Sequence, residues 1–74
     1  MELTVKLFAT YRDGRFDVRK AEYPPETTIA AILEGLGLPT SELGIALVNG
    51  RHVELPHQPK DGDTVSLFPK VGGG

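Results

Sequence analysis

The chain has 74 residues, a net charge of −2 at pH 7 and a pI near 5.5, and it contains no cysteine. One small domain of this length leaves little room for an enclosed active site, and the missing thiols exclude disulfides, zinc-thiolate sites and cysteine nucleophiles. Scattered basic residues, and the lack of a signal pattern or of roughly 20 consecutive apolar residues, argue against nucleic-acid and membrane partners and favour a cytoplasmic protein.

The first third of the chain predicts an antiparallel hairpin. Residues 2–8 alternate between apolar and polar side chains, which is the period of a strand with one buried face. The apolar positions of this strand are Leu3, Val5 and Leu7. Asp13-Gly14 is a turn dipeptide, and residues 15–22 alternate again through Phe16 and Val18. We therefore expect two antiparallel strands joined by a turn.

The middle of the chain predicts one helix of about two turns. Thr27 or Thr28 is a suitable N-cap, and Gly37 is a suitable left-handed residue after the helix. Apolar residues follow the cap at i, i+3, i+4 and i+7, namely Ile29, Ile32, Leu33 and Leu36. A helix this short is unstable alone, so this apolar stripe must pack on a sheet.

The last third of the chain predicts three more strands. Residues 43–48 are an apolar run, and Asn49-Gly50 is the strongest hairpin dipeptide, which leads into a short strand at residues 51–53. Residues 56–63 hold two prolines and an Asp-Gly pair, so they form a loop. Residues 64–68 alternate and form the last strand.

This element order, ββαββ plus a final strand, indicates an α+β fold of the β-grasp type. We expect a mixed five-stranded sheet with one main helix on one face, and with the first and last strands parallel at its centre. That pairing brings Phe8 and Phe68 together on the outward face. Two exposed phenylalanines on an otherwise polar face predict a partner-docking patch.

The C-terminal residues predict a flexible tail at 69–74 behind a domain at 1–68. Ordering six backbones would cost roughly 1 to 2 kcal/mol each, whereas burying Val71 would return only about 1.5 to 3 kcal/mol. Six residues reach about 20 Å, and glycines pass channels that side chains would block. Such a tail could carry the Gly74 carboxylate into another protein's active site, although a frayed terminus has the same composition.

No autonomous active site is expected within the domain. His52 and His57 lie off any helix without further ligands, so no metal site is predicted. Asp61-Gly62-Asp63 lacks the remaining ligands of a calcium loop, and Gly35-Leu36-Gly37 follows a helix where a dinucleotide fingerprint precedes one. The reactive group that remains is the C-terminal carboxylate, which must be activated by another protein.

Three motifs together resemble the MoaD/ThiS sulfur carriers, which are ubiquitin-like β-grasp proteins that end in Gly-Gly. The motifs are Val48-Asn49-Gly50-Arg51, Lys60-Asp61-Gly62-Asp63-Thr64-Val65 and Leu67-Phe68-Pro69-Lys70-Val71-Gly72-Gly73-Gly74. The resemblance covers the whole chain in length and element order. Its specificity comes from the spacing of two ordinary turns ahead of Leu-Phe-Pro and the diglycine end.

The resemblance implies a mechanism. A ubiquitin-activating-type adenylyltransferase, MoeB/ThiF-like, would use ATP to adenylate Gly74, and sulfur from a persulfide would then leave a thiocarboxylate; this chain itself would bind no cofactor. Gly73 and Gly74 take the diglycine role. The residues implied to contact partners are Phe8, Phe68, Pro69, Val71 and Gly72.

The segment Leu67-Phe68-Pro69 is more similar to MoaD, which implies the small subunit of molybdopterin synthase with a MoaE-like large subunit as partner. Three alternatives remain open. One is a ThiS-like carrier for thiamin thiazole synthesis, the second is a ubiquitin-like modifier joined to lysines, and the third is a non-covalent binding module. The resemblance leaves molybdenum and tungsten cofactors equally open.

Overall fold

The computed structural model describes residues 1–70. The predictions for Val71, Gly72, Gly73 and Gly74 therefore lie outside the described residues. The strands are β1 (Glu2–Leu7), β2 (Val18–Glu22), β3 (Leu43–Val48), β4 (Arg51–Val53) and β5 (Thr64–Pro69). One α-helix, α1 (Ile29–Gly35), and two 3-10 helices, Ala9–Arg12 and Thr40–Glu42, complete the described elements.

The strands form one five-stranded sheet in the order β2-β1-β5-β3-β4. Strands β1 and β5 are parallel, and the other three pairings are antiparallel. The predicted mixed sheet with its first and last strands side by side at the centre is thereby confirmed. The connection from β2 to β3 contains α1, which packs on one face of the sheet. The other face, here called the open face, carries no α-helix within residues 1–70.

The core lies between α1 and the sheet. Thr28 is the N-cap, since its hydroxyl accepts a hydrogen bond from the Ala31 amide (3.1 Å), and Gly37 takes a positive φ of 74° after the helix, as predicted. The buried apolar residues are Leu3, Val5, Leu7, Tyr11, Ile29, Ile32, Leu33, Leu38, Ala46, Val48, Val65 and Leu67. Each larger side chain contributes about 1.5 to 3 kcal/mol by burial.

The connection between β1 and β2 differs from the predicted tight hairpin. Ala9 takes a positive φ of 52° and the chain forms a 3-10 helix, which buries Tyr11 in the core at 4% exposure. Strand β2 consequently begins at Val18 instead of residue 15. Val18 pairs with Lys6 on the open face and is 56% exposed, so the alternation through Phe16 and Val18 does not mark a buried strand face.

The last strand is longer than predicted. Pro69 pairs with Leu43 within β5, and the Lys70 amide donates to the Glu42 carbonyl at 2.9 Å. Placing Pro69 and Lys70 in a free tail is therefore wrong. Proline is tolerated here because it is the last residue of its strand and the following amide supplies the hydrogen bond.

A side-chain network joins the β3–β4 turn to the start of β5. The Asn49 side chain accepts from the Thr64 amide (2.9 Å) and donates to Asp63 Oδ1 (2.9 Å). Asp63 Oδ2 accepts from the Lys60 amide at 2.8 Å. The hydrogen bond from the Lys60 backbone, and then that from Asn49, hold the pKa of Asp63 below its ordinary value of 3.8.

This network predicts a pH dependence of stability. A carboxylate whose pKa is depressed in the folded state contributes stability above its unfolded pKa of about 3.8, and this contribution is lost as pH falls through the lower folded pKa. We expect Asp63→Asn to lower the melting temperature at neutral pH, because one acceptor oxygen becomes a donor. Thermal unfolding followed by circular dichroism should show this deficit shrinking as the pH is lowered below about 3.8.

Asp17→Asn is the matched control, because Asp17 is an exposed carboxylate on the β1–β2 connection. It should leave the melting temperature nearly unchanged at neutral pH. An Asp63→Asn deficit that stayed constant across the whole pH range would contradict a contribution from the ionised carboxylate.

Candidate partner-docking surface

Two phenylalanines meet on the open face where β1 and β5 end. The parallel register pairs Leu7 with Leu67, so Phe8 and Phe68 follow side by side, and the Phe8 amide donates to the Leu67 carbonyl at 3.2 Å. Their rings stack with centroids 4.2 Å apart and planes 10° from parallel. Such a pair contributes about 0.5 to 1.5 kcal/mol beyond its burial.

The predicted proximity of Phe8 and Phe68 is therefore confirmed in the structure, with one difference. Sequence analysis expected two exposed rings, whereas both residues are half-buried. Part of each ring is covered by the other, because stacking at van der Waals distance removes the facing surfaces from solvent. The pair thus forms a preformed apolar unit on the open face.

Strand β3 extends this apolar area. Ile45 pairs with Phe68 and Leu47 pairs with Ser66, which places both β3 side chains on the open face. Ile45 is 45% exposed although it lies within a sheet of a small domain. We call Phe8, Ile45, Leu47 and Phe68 together the apolar surface. A contiguous apolar area on an uncovered sheet face is typical of surfaces that bind another protein.

Sequence analysis missed Ile45 and Leu47. The apolar run at residues 43–48 predicts a strand but does not by itself assign its two faces. The Asn49-Gly50 turn fixes which residues pair across β3 and β4, so the alternation counted back from the turn places Ile45 and Leu47 on one face and Ala46 and Val48 on the other; the structure shows that Ala46 and Val48 are the buried pair. This alternation is the feature of the sequence that groups Ile45 with Leu47.

A groove borders the apolar surface at the point where the described chain ends. Its volume is about 610 Å³. The lining residues are Ala9, Gly44, Ile45, Leu47, Phe68, Pro69 and Lys70. Lys70 is the one charged side chain among them, so the groove is suited to apolar groups of a partner. The predicted partner contacts Phe68 and Pro69 both line it, and Phe8 lies against Phe68.

The two histidines lie elsewhere. His52 Nδ1 is 3.9 Å from Glu54 Oε1 at the sheet edge, with both side chains largely exposed. His57 lines a separate cavity of about 490 Å³ together with Arg51, Lys60 and Asp63. Within residues 1–70, no cluster of three or more His, Cys, Asp and Glu side chains is placed to bind a metal ion. In the same part of the chain, no helix has the length and apolar character needed to cross a membrane.

Comparison with known proteins gives both a family and similar structures. The model of the ThiS family matches residues 5–74. No curated protein sequence matches the chain significantly. A Pyrococcus furiosus protein provisionally described as molybdopterin converting factor subunit 1 is 29% identical with a TM-score of 0.74, over 96% of this chain and 99% of that one.

Two further structures are similar over the full length of both chains. A complex of subunits 1 and 2 of molybdopterin-converting factor from Helicobacter pylori gives 26% identity and a TM-score of 0.67, over 100% of each chain. The Haloferax volcanii protein SAMP1 gives 24% identity and a TM-score of 0.75, also over 100% of each chain. The last likeness shows a shared fold, and all three agree with the β-grasp arrangement described above.

The assignment of β3 faces is testable through stability alone. Because Ile45 is 45% exposed, Ile45→Ser should lower the free energy of unfolding by about 1 kcal/mol or less. The neighbouring Ala46 is fully buried, so Ala46→Ser places a hydroxyl in the core and should cost about 1 to 3 kcal/mol. Urea unfolding of both variants measures the difference. Equal losses would contradict the outward orientation of Ile45.

Proposed function

Because the chain belongs to the ThiS family, we propose that it is a small sulfur carrier that donates sulfur for molybdopterin biosynthesis from a thiocarboxylate at Gly74. The observation that supports this most directly is the family match over residues 5–74, which includes every residue of the apolar surface and the terminal glycines. The similar structures from Pyrococcus furiosus and Helicobacter pylori, both described as molybdopterin converting factor subunits, favour this branch.

The chemistry proceeds in two stages on the Gly74 carboxylate. A carboxylate resists nucleophilic attack, so a MoeB/ThiF-like adenylyltransferase first joins it to the AMP portion of ATP and releases pyrophosphate. The terminal sulfur of a persulfide then attacks the acyl carbon, and AMP leaves. A thiol cleaves the remaining sulfur–sulfur bond, which leaves the thiocarboxylate. The domain contributes recognition and positioning, and Gly73 lets the terminus enter a narrow active site.

The apolar surface supplies the docking site for these partners in this proposal. It lies on the face that α1 leaves uncovered, and its groove ends at Lys70, four residues before Gly74. A partner that covers the groove as far as Lys70 therefore has the terminus within about 14 Å of that residue. The complex of subunits 1 and 2 in Helicobacter pylori supports a MoaE-like large subunit as the sulfur-accepting partner of this chain.

A second candidate is a ThiS-like carrier for thiamin thiazole synthesis, which the name of the matching family favours. Both candidates share the activation of Gly74 and differ only in the acceptor of the sulfur. Incubating the thiocarboxylated chain either with a MoaE-like subunit and the cyclic pterin precursor, or with thiazole synthase and its substrates, distinguishes them. The reaction that consumes the thiocarboxylate identifies the branch.

Activation can be tested by intact mass spectrometry. After incubation with ATP, a persulfide donor, a thiol and a MoeB/ThiF-like enzyme, the C-terminal peptide should gain the mass difference between sulfur and oxygen. A variant with one residue added after Gly74 should show no gain, because the carboxylate is displaced from the adenylation site. Its melting temperature should match that of the wild type, which serves as the folding control.

Two results would count against this function. One is a wild-type chain that forms no acyl-adenylate with a MoeB-like or a ThiF-like enzyme. The other is an isopeptide bond between Gly74 and a lysine as the main product in place of the thiocarboxylate, which would establish the modifier alternative.

Partner docking can be tested with exposed apolar residues at two places on the open face. Ile45→Ser should weaken binding to the large subunit about tenfold or more, because it removes an anchor beside Phe68. Val18→Ser is the matched control, since Val18 is also exposed but lies two strands from Phe68. Isothermal titration calorimetry should show less than about a twofold change for Val18→Ser. Equal effects of the two variants would place the interface elsewhere.

A further inference from the structure

Strand β3 contains one irregularity, and it lies where the described chain ends. Ile45 pairs with Phe68 and Leu43 pairs with Pro69, so two steps along β3 oppose one step along β5. Gly44 is the extra residue of this bulge. The backbone of Gly44 therefore lies beside the peptide that joins Pro69 to Lys70.

The backbone of Pro69 and Lys70 lies so close to Gly44 that there is no space for a side chain at position 44. A β-carbon there would lie 2.6 Å from the Pro69 carbonyl oxygen, 2.9 Å from the Pro69 carbonyl carbon and 3.0 Å from the Lys70 nitrogen. All three are backbone atoms, and the shortest distance is about 1 Å less than an optimal nonbonded contact. The other five glycines of residues 1–70 would meet no heavy atom within 4 Å. Among the six glycines of residues 1–70, Gly44 is therefore the one whose position has no room for a β-carbon.

The Pro69–Lys70 peptide has few ways to relieve such a clash. The proline ring fixes φ of Pro69, so the carbonyl can turn away mainly by rotation about ψ. That rotation also turns the Lys70 amide, which donates to the Glu42 carbonyl at 2.9 Å. A side chain at position 44 would therefore break the last described hydrogen bond of the chain or move the whole peptide.

We propose that Gly44 is a positioning residue, which sets the direction in which the chain leaves the sheet at Lys70 and thereby delivers the C-terminal carboxylate to the activating enzyme. This inference rests on the proposed function. Four residues after Lys70 span at most about 14 Å, so the orientation at Lys70 limits where the terminus reaches while the apolar surface remains docked. Misplacement of a reacting group by about 1 Å lowers rates by as much as about 100-fold.

The test compares Gly44→Ala with Gly35→Ala in ATP–pyrophosphate exchange catalysed by a MoeB/ThiF-like enzyme. Gly35 is the matched control, because it is exposed, has no positive φ, and its added methyl group would meet nothing. We expect Gly44→Ala to lower kcat roughly 10- to 100-fold with a smaller change in KM, since every residue of the apolar surface is retained. Gly35→Ala should match the wild type. A wild-type kcat for a folded Gly44→Ala variant overturns the inference.

Amide hydrogen exchange gives a readout that does not depend on activity. Gly44→Ala should accelerate exchange at Lys70 while exchange at Leu67 stays slow, because the clash acts on the last peptide of the strand. This measurement separates the two hypotheses. A wild-type chain that is not adenylated overturns the proposed function, whereas unchanged Lys70 exchange in Gly44→Ala overturns the positioning role.

A second variant covers the case in which Gly44→Ala does not fold. Lys70→Pro removes the amide that bonds Glu42 without adding atoms at position 44, and Lys70→Ala removes the same side chain while keeping that amide. If the hydrogen bond from the Lys70 amide sets the direction in which the chain leaves the sheet, Lys70→Pro should lower kcat at least about tenfold more than Lys70→Ala does. Equal losses in these two variants overturn the positioning role.

Discussion

The parallel pairing of β1 with β5 is the interaction on which the other features depend. It joins the first strand of the chain to the last, and its inward residues, such as Val5 and Val65, are fully buried against α1. The same register determines what lies on the other face, because residues at the ends of the two strands must also be neighbours. Phe8 and Phe68 stack for this reason. The core and the candidate docking surface are therefore two consequences of one alignment.

A single seven-residue helix can cover only one face of a five-stranded sheet, and this limit leaves the open face uncovered by α1. Most open-face positions of β1 and β5 are polar, which keeps the uncovered sheet compatible with water. The exception is the end near Lys70, where Ile45 and Phe68 adjoin. Within residues 1–70, the apolar residues of the open face thus adjoin one another beside the place where the described chain ends, whereas the exposed Val18 lies apart from them on β2.

Local patterns were sufficient to predict most of this fold. Alternation marked β1 and β5, a capped apolar stripe marked α1, and Asn49-Gly50 marked the turn, since each signal comes from neighbouring residues. The errors arose where distant parts of the chain decide the structure. Pro69 joins the sheet through Leu43, and the space beside Gly44 is restricted by a peptide far along the chain. Neither contact leaves a periodic signal in the sequence.

In the proposed function the apolar surface supplies the affinity and the terminus supplies the reacting group, and this difference follows from the energetics of binding. Glycines offer little apolar area, so a diglycine end contributes little affinity by itself. Docking through Phe68 and its neighbours converts entry of the terminus into an intramolecular step, whose effective concentration depends on the length and direction of the linking residues. The linking segment is the four residues after Lys70. Its direction at Lys70 is what Gly44 sets in the proposed positioning role. In the proposed function, the sheet therefore determines which partner binds, and the bulge determines whether the bound terminus reaches the reacting groups.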